Sequence, residues 1–214
     1  GATVETKYDS RGNLAYVKDA KGNETKYEYD LQSRLLRRLD WNPAYSGGMY
    51  RMTFEQTWDA RSRLASRTDG GGNTTSYEYD NAGRRTAEIS PASDVYGITA
   101  QGALSVSNRS IVTRYVYDGL GQVTRKTEDA DNAIAAERRI TDYVYDTRGH
   151  LIRTILPNPG AIDPVTGNLV FNGSNPTIET TFDALGQAVV QKDARGYYRY
   201  TTYDAQGQVS AEVD

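Results

Sequence analysis

Aromatic and charged residues alternate along much of this chain with a period of two, the pattern of a β-strand with two different faces. Tyr27 and Tyr29 lie on one face of the first clear example, and Lys26 and Glu28 lie on the other. A helix would repeat its apolar positions at a spacing of three to four residues instead. The alternation therefore predicts strands. Three further aromatic pairs have the same spacing: Tyr77 and Tyr79, Tyr115 and Tyr117, and Tyr143 and Tyr145.

Each alternating stretch ends in one recurring phrase: an aromatic residue, an aspartate, two variable positions, usually a glycine, a polar residue and usually an aliphatic residue. Eight copies occur in 214 residues, so the repeat itself defines the fold. Aspartate favours the first position of a type I turn because its carboxylate accepts hydrogen bonds from nearby amides, and glycine favours the fourth. Serine replaces the glycine at Ser33 and Ser62. The candidate site residues form this structural repeat motif: Tyr8, Asp9, Gly12, Tyr29, Asp30, Trp58, Asp59, Tyr79, Asp80, Gly83, Tyr117, Asp118, Gly121, Tyr145, Asp146, Gly149, Phe182, Asp183, Gly186, Tyr203, Asp204 and Gly207.

The sixth residue after each aromatic is expected to return on the partner strand as its cross-strand neighbour. This residue is aliphatic in seven copies and is Arg85 in the fourth, an exception that the pattern does not explain. The seven aliphatic residues are Leu14, Leu35, Leu64, Val123, Leu151, Ala188 and Val209.

A second acidic residue lies eleven residues after six of the aromatics. Where the next copy follows at a spacing of 21, this acid is expected to open a second turn, as in residues 19–22, 69–72 and 193–196. Each repeat then consists of strand, turn, strand and turn. The predicted fold class is all-β, with tandem antiparallel β-hairpin repeats. The six acids are Asp19, Asp40, Asp69, Glu128, Asp193 and Asp214.

The repeats predict a single array over residues 1–214, interrupted by insertions. Four of the seven spacings exceed 21, and all six prolines lie in or beside the extra residues, as expected because proline cannot donate to a strand ladder. We expect the longer insertions to form extended hairpins that project from one rim of the sheet, with residues 163–167 as a turn between two short strands. The insertions lie near residues 41–52, 91–110, 131–138 and 157–176.

Composition limits how the array is stabilised and what it binds. Only 37% of the residues are hydrophobic, so seventeen tyrosines and contacts between neighbouring repeats must replace a large aliphatic core. The net charge of −3 comes from interspersed charges, without the basic stripe that nucleic acid needs. No apolar run is long enough to span a membrane, and no signal peptide begins the sequence. The absence of cysteine excludes disulfides and thiol chemistry.

Candidate chemistry in the sequence is weak. His150, the only histidine, occupies the repeat position held elsewhere by Asn13 and Gln122, so we interpret it as a solvated turn flank. The repeated aspartates could bind calcium or act as paired glycosidase acids, but turn capping already explains their spacing. We therefore predict no catalytic, cofactor-binding or metal-binding residue, no cofactor and no enzymatic activity; a glycosidase is the enzyme alternative.

The motif Tyr-Asp-x-x-Gly-polar-aliphatic, as in residues 117–123 and 203–209, resembles the YD repeat of the RHS-repeat proteins. That family includes bacterial Rhs polymorphic toxins, the B and C components of insecticidal toxin complexes, and teneurins. The resemblance implies a curved, spiralling sheet that forms part of a hollow shell. Eight hairpins give about 16 strands, or a strip of roughly 75 Å at ~4.8 Å per strand. This length suffices for part of a wall. Asp163-Pro164 is similar to the family's cleavage motif, but we interpret it as a turn.

The resemblance implies a structural role in a secreted or exported toxin system, in which the shell encapsulates a toxin or another cargo polypeptide before delivery. The implied partners are neighbouring YD repeats of a longer chain and the enclosed cargo. The sheet edges of an isolated segment would favour self-association. The alternative function is an adhesive surface that binds a glycan or receptor through exposed tyrosines.

Overall fold

The computed structural model describes residues 3–42, 48–98, 104–133, 138–167, 169–171 and 173–214. These residues form twenty β-strands and no helix, which confirms the all-β fold class. The chain divides into two compact units, Gly1–Ala92 and Ser93–Asp214, and each is described by itself. The single array over residues 1–214 stays a prediction. The described residues include no helix that is long and apolar enough to cross a membrane.

The first unit is an antiparallel meander of eight strands that follow one another in the sheet in chain order. Every strand pairs with the next one along the chain, so the whole unit consists of successive hairpins. The strands are β1 (Glu5–Tyr8), β2 (Leu14–Lys18), β3 (Glu24–Tyr29), β4 (Leu35–Asn42), β5 (Met49–Trp58), β6 (Leu64–Asp69), β7 (Thr74–Tyr79) and β8 (Arg85–Ile89).

The second unit contains another meander of eight strands together with two separate two-stranded ribbons. The meander strands are β11 (Val112–Tyr117), β12 (Val123–Glu128), β13 (Arg139–Tyr145), β14 (Leu151–Ile155), β17 (Thr177–Phe182), β18 (Ala188–Lys192), β19 (Tyr198–Tyr203) and β20 (Val209–Val213). The ribbon strands are β9 (Ser93–Ile98), β10 (Leu104–Arg109), β15 (Ala161–Ile162) and β16 (Leu169–Val170).

Three of the four insertions form hairpins, including the two long ones for which we expected hairpins. The first lengthens β4 and β5, the second forms the β9–β10 ribbon, and the fourth forms the β15–β16 ribbon around a turn at residues 163–167. The return strand β16 ends at Val170. Parts of the predicted insertions lie outside the described residues: 43–47, 99–103, 134–137, 168 and 172.

The described residues contain almost no hydrophobic core. Ala87 and Val112 are the buried hydrophobic residues among them, and no large side chain is fully buried. Most strand residues are half-buried, because each side chain packs against the neighbouring strands of its own sheet. Stability must therefore come from contacts between adjacent repeats, as in other repeat proteins.

Candidate functional site

The structure gives every copy of the repeat motif the same position. The aromatic residue is the last residue of a strand, the aspartate opens the turn, and the residue six positions after the aromatic begins the next strand. The aromatic residues that end the strands are Tyr8, Tyr29, Trp58, Tyr79, Tyr117, Tyr145, Phe182 and Tyr203.

The first turn shows how the aspartate folds the chain. The Asp9 amide donates to the Asn13 carbonyl (2.8 Å), and the Gly12 amide donates back to the Asp9 carbonyl (3.1 Å). Carboxylate oxygen Oδ1 of Asp9 accepts the amides of Arg11 (2.9 Å) and Asn13 (2.8 Å). All eight copies share the two backbone hydrogen bonds. This is a type I turn followed by a left-handed residue, a common hairpin connection.

The fourth position of every aromatic–aspartate turn has a positive φ. Gly121 has a φ of +85°, which glycine adopts without steric conflict because it lacks a Cβ. Ser33 and Ser62 adopt +61° and +62° at the same position, a conformation that costs a residue with a Cβ about 1–2 kcal/mol. The two serines offset part of this cost through their hydroxyls. Asn13 Nδ2 donates to Ser33 Oγ (3.1 Å), and Arg34 Nη1 donates to Ser62 Oγ (3.0 Å).

The polar residue after the fourth position connects one turn to the next, a role that the sequence did not reveal. Arg34 Nε donates to Oδ2 of its own Asp30 (2.6 Å), while its Nη1 reaches the carbonyl of Asp59 in the next turn (3.2 Å). Arg63 and Gln122 likewise reach backbone carbonyls of the following turn. The signal available in the sequence was that this slot always holds a planar hydrogen-bond donor.

The aromatic residue makes the reverse connection, towards the preceding repeat. The hydroxyl of Tyr29 donates to the Leu14 carbonyl oxygen at 3.0 Å, and the indole Nε1 of Trp58 donates to that of Leu35 at 2.9 Å. We call this hydrogen bond the aromatic clamp. The clamp gives the polar atom of the aromatic ring a hydrogen-bond acceptor in the previous hairpin while the ring remains an apolar packing group. The other clamps join Tyr79 to Leu64, Tyr145 to Val123, and Tyr203 to Ala188.

The cross-strand pairs between each aromatic and the sixth residue after it are present in all eight hairpins, which confirms that expectation. A β-bulge precedes each aromatic residue and lets the strand register adapt to the turn. The exceptional Arg85 pairs with Tyr79, and its guanidinium lies 5.6 Å from the ring centroid of Tyr77. Arg85 Nη1 also bonds to Glu88 (2.9 Å). A cation–π contact and an ion pair therefore replace the aliphatic contact.

His150 lies in the turn flank, as predicted, but it is not simply solvated. Its Nδ1 lies 2.9 Å from Oδ2 of Asp146, and its ring stacks on Phe182 of the next repeat with centroids 4.7 Å apart. Phe182 is the one repeat aromatic without a polar ring atom. Between the sixth and seventh repeats, the stack of His150 on Phe182 therefore takes the place of an aromatic clamp.

Hydrogen bonding stabilises the charged form of several turn aspartates. The side-chain amide of Asn13, helped by backbone amides, holds the pKa of Asp9 below its usual range. The side chain of Arg84 lowers the pKa of Asp80 in the same way. In the second turns, which Asp19 and Asp69 open, a hydrogen bond from an asparagine side chain likewise lowers the pKa of the aspartate. These acids therefore act as ionised turn caps.

A polar network on the first unit links the strands around the first insertion. Glu24 accepts hydrogen bonds from the Tyr50 hydroxyl (2.6 Å) and from Lys18 Nζ (2.9 Å). The Tyr50 hydrogen bond is the main cause that lowers the pKa of Glu24 to about 2, while burial and Glu24 raise the pKa of Tyr50 to about 12. Lys26 Nζ lies 3.7 Å from the Tyr50 ring centroid, and the Trp41 ring meets it edge-on. No pattern in the sequence predicted this network.

A groove of about 550 Å³ lies in the second unit beside the sixth and seventh turns. Its charged groups are paired with one another or with the backbone: Arg153 Nε lies 3.1 Å from Glu179, and Arg148 Nη1 donates to the Ala184 carbonyl (2.7 Å). The described residues contain no cluster of three acids or histidines that could hold a metal ion. Asp163 caps its turn by accepting the amides of Val165 and Thr166.

Two segments of the chain match a known family of repeat proteins. The model of the RHS Repeat family matches residues 8–43 and 58–95, which contain the first four aromatic–aspartate turns. These two segments match RHS repeats. The four later copies have the same turn hydrogen bonds as the four matched RHS repeats. No protein of curated function matches the chain.

Solved structures share the fold of this chain. The crystal structure of TcdB2-TccC3-Cdc42 matches 98% of the chain with a TM-score of 0.67 and 15% identity. The TcdB2-TccC3 structure without the hypervariable C-terminal region matches 96% with a TM-score of 0.66 and 16% identity. The chain spans about a tenth of the length of each matched structure. At this identity the likeness is one of fold.

Proposed function

We propose that this chain is a wall segment of an RHS-repeat shell that encloses a toxin or another cargo polypeptide before its delivery. The observation that carries the proposal is the two-way connection between repeats. The aromatic clamp of Tyr79 reaches back to Leu64, whereas the guanidinium of Arg63 reaches forward to Asp80. Such a sheet grows by adding hairpins and needs no central core, which suits a wall.

The sheet surface also suits the containment of a polypeptide. Its charges are largely neutralised across neighbouring strands, as in the pairs Arg37–Glu55 and Arg125–Asp142. A surface whose charges are paired in this way offers a cargo no strong electrostatic field. Cargo would thus be held without being bound tightly.

The proposal assigns this segment a structural role and no catalysis, since the turn aspartates act as caps. Its partners are neighbouring RHS repeats and the cargo, and the complete protein is secreted or exported. Nucleic acid is not a partner, because the net charge is −3 and the basic residues are interspersed with acids.

Electron microscopy of the full polypeptide that carries this segment tests the proposal. We expect a hollow particle whose wall contains these repeats and whose interior holds additional density. An open, extended sheet with no enclosed volume would overturn the shell function while leaving the repeat fold intact.

A second candidate function, adhesion through glycan or receptor binding, is favoured by exposed tyrosines near β19. Tyr197 is 72% exposed, and Tyr198 and Tyr200 present neighbouring rings 6.3 Å apart on one face. Aromatic faces of this kind stack on sugars. Binding on a glycan array that is lost in the double variant Tyr198→Ala/Tyr200→Ala, but kept in Tyr16→Ala on the first unit, would favour this function over the shell.

A further inference from the structure

The repeat junctions are not equivalent. Within the two units, six junctions join one aromatic–aspartate turn to the preceding repeat, and five of them contain an aromatic clamp of 2.9–3.0 Å. The sixth–seventh junction, where Phe182 follows Leu151, cannot form one because phenylalanine has no polar ring atom. This difference removes one hydrogen bond from that junction alone.

The groups that replace the clamp come from the turn itself. The His150 ring stacks on Phe182, and its orientation depends on the 2.9 Å contact between Nδ1 and Asp146. Arg148 donates to the Ala184 carbonyl at 2.7 Å, but this contact does not replace a clamp, since Arg11 and Arg61 make the same kind of contact at clamped junctions. The Arg148 hydrogen bond is exposed, so water competes for it, whereas the clamps are part-buried.

Burial supports a looser junction here. Leu151, the apolar residue of the sixth repeat at this junction, is 38% exposed. The groove of about 550 Å³ is lined by Phe182 and residues of both turns. Water therefore reaches the apolar residue at this junction.

Chain connectivity removes a further constraint. A tight turn at residues 193–196 joins β18 to β19, but β14 and β17 are joined by residues 156–176, which form their own ribbon. A long connection holds two strands together less firmly than a tight turn, because closing a longer loop costs more entropy.

We propose that the sixth–seventh junction is a built-in opening site, at which β14 and β17 separate before any other repeat junction of the second unit. The missing clamp, the exposed Leu151, the groove and the long connection all weaken the same pair of strands. The Arg153–Glu179 ion pair between β14 and β17 offsets only part of this, because an exposed ion pair contributes little to stability. Opening there would divide the second unit between its sixth and seventh repeats without unfolding either hairpin. The inference does not depend on what the shell contains.

Hydrogen–deuterium exchange of the 214-residue chain, followed by mass spectrometry, tests the opening site with two reciprocal variants. We expect β14 to exchange faster than β12 in the unmodified chain. Phe182→Tyr should slow the exchange of β14 about fivefold, the equivalent of ~1 kcal/mol for one hydrogen bond, by creating a clamp to Leu151. Tyr145→Phe is the matched control and should speed the exchange of β12 by a similar factor. His150→Ala should speed the exchange of β14 further.

Two results would overturn the opening site. One is equal exchange of β14 and β12 in the unmodified chain. The other is a Phe182→Tyr variant in which β14 exchanges as before, whatever Tyr145→Phe does to β12. Neither result bears on whether the repeats form a shell, which electron microscopy tests separately.

Discussion

The hydroxyl of Tyr79 donates to the carbonyl oxygen of Leu64 at 2.9 Å, and this hydrogen bond joins the fourth RHS repeat to the third. The ring of the donor is anchored in one hairpin, and its acceptor belongs to the hairpin before it. Because the described residues bury almost no hydrophobic side chains completely, contacts of this kind carry a large share of the cohesion between repeats.

Removing the Tyr79 hydroxyl measures how much one aromatic clamp contributes to the free energy of unfolding. Tyr79→Phe should lower the free energy of unfolding by about 1 kcal/mol, or Tm by roughly 2–4 °C, because the Leu64 carbonyl loses its donor while the ring stays in place. Tyr77→Phe is the control, since the Tyr77 ring contacts Arg85 and would keep that contact. Thermal melts followed by circular dichroism compare the two. Equal shifts in both variants would contradict the clamp.

The glycine of the fifth turn tests the turn assignment. Gly121→Val should lower the free energy of unfolding by about 1–3 kcal/mol, because a β-branched residue must then adopt the φ of +85°. Gly119→Val lies two residues away, in a position with open space around a new Cβ, and should change stability by less than ~0.5 kcal/mol. Denaturant unfolding provides the comparison. A Gly121→Val curve that overlays the parent would show that the turn is wrongly assigned.

The serine of the third turn separates backbone strain from hydrogen bonding. Ser62→Gly relieves the cost of a φ of +62°, whereas Ser62→Ala keeps that cost, and both remove the acceptor of Arg34 Nη1. The glycine variant should therefore be more stable than the alanine variant by about 1 kcal/mol. If alanine proves equal to glycine in chemical denaturation, strain at this position is negligible.

Acid should destabilise the array through its turn aspartates. The folded pKa values of Asp9, Asp19, Asp69 and Asp80 are lowered by hydrogen bonds from the following polar residue. Their unfolded values lie near 3.9. The stability that ionisation provides is thus complete above about pH 4 and is lost as the pH falls through the lowered folded values.

Melting temperatures measured from pH 7 to pH 2 check this dependence. Asp80→Asn should melt at a lower temperature than the parent at pH 7 and should lose less stability between pH 4 and pH 2, since one titrating cap is gone. A parent Tm that stays constant over the acid range would contradict the role of the aspartates as ionised caps.

The sequence was sufficient for the periodic part of the fold. The spacing of aromatic residue, aspartate and glycine predicts where each hairpin turns, and the strands end and begin at those residues in both units. This worked because the determinants are local: an aspartate caps amides two and four residues away. The turn at residues 163–167 was predicted on the same grounds and is present.

Contacts between repeats were beyond the reach of sequence reasoning. The position after the fourth turn residue holds asparagine, arginine, glutamine or histidine. These four different side chains all contact the next repeat, so their shared role is not visible as a single residue type in the sequence. The stack of His150 on Phe182 joins residues that are separated by an insertion. The hydrogen bond between Glu24 and Tyr50 reaches from β3 to a residue of the first insertion, so no local pattern predicts either contact.

Protease accessibility of the cargo tests the central claim most directly. In the full polypeptide that carries these repeats, the segment enclosed by the shell should resist a nonspecific protease under native conditions and should be digested once mild denaturant opens the wall. The same segment expressed without the repeats is the control and should be cleaved at once. Equal cleavage rates for the enclosed and the isolated segment under native conditions would contradict a wall that contains cargo.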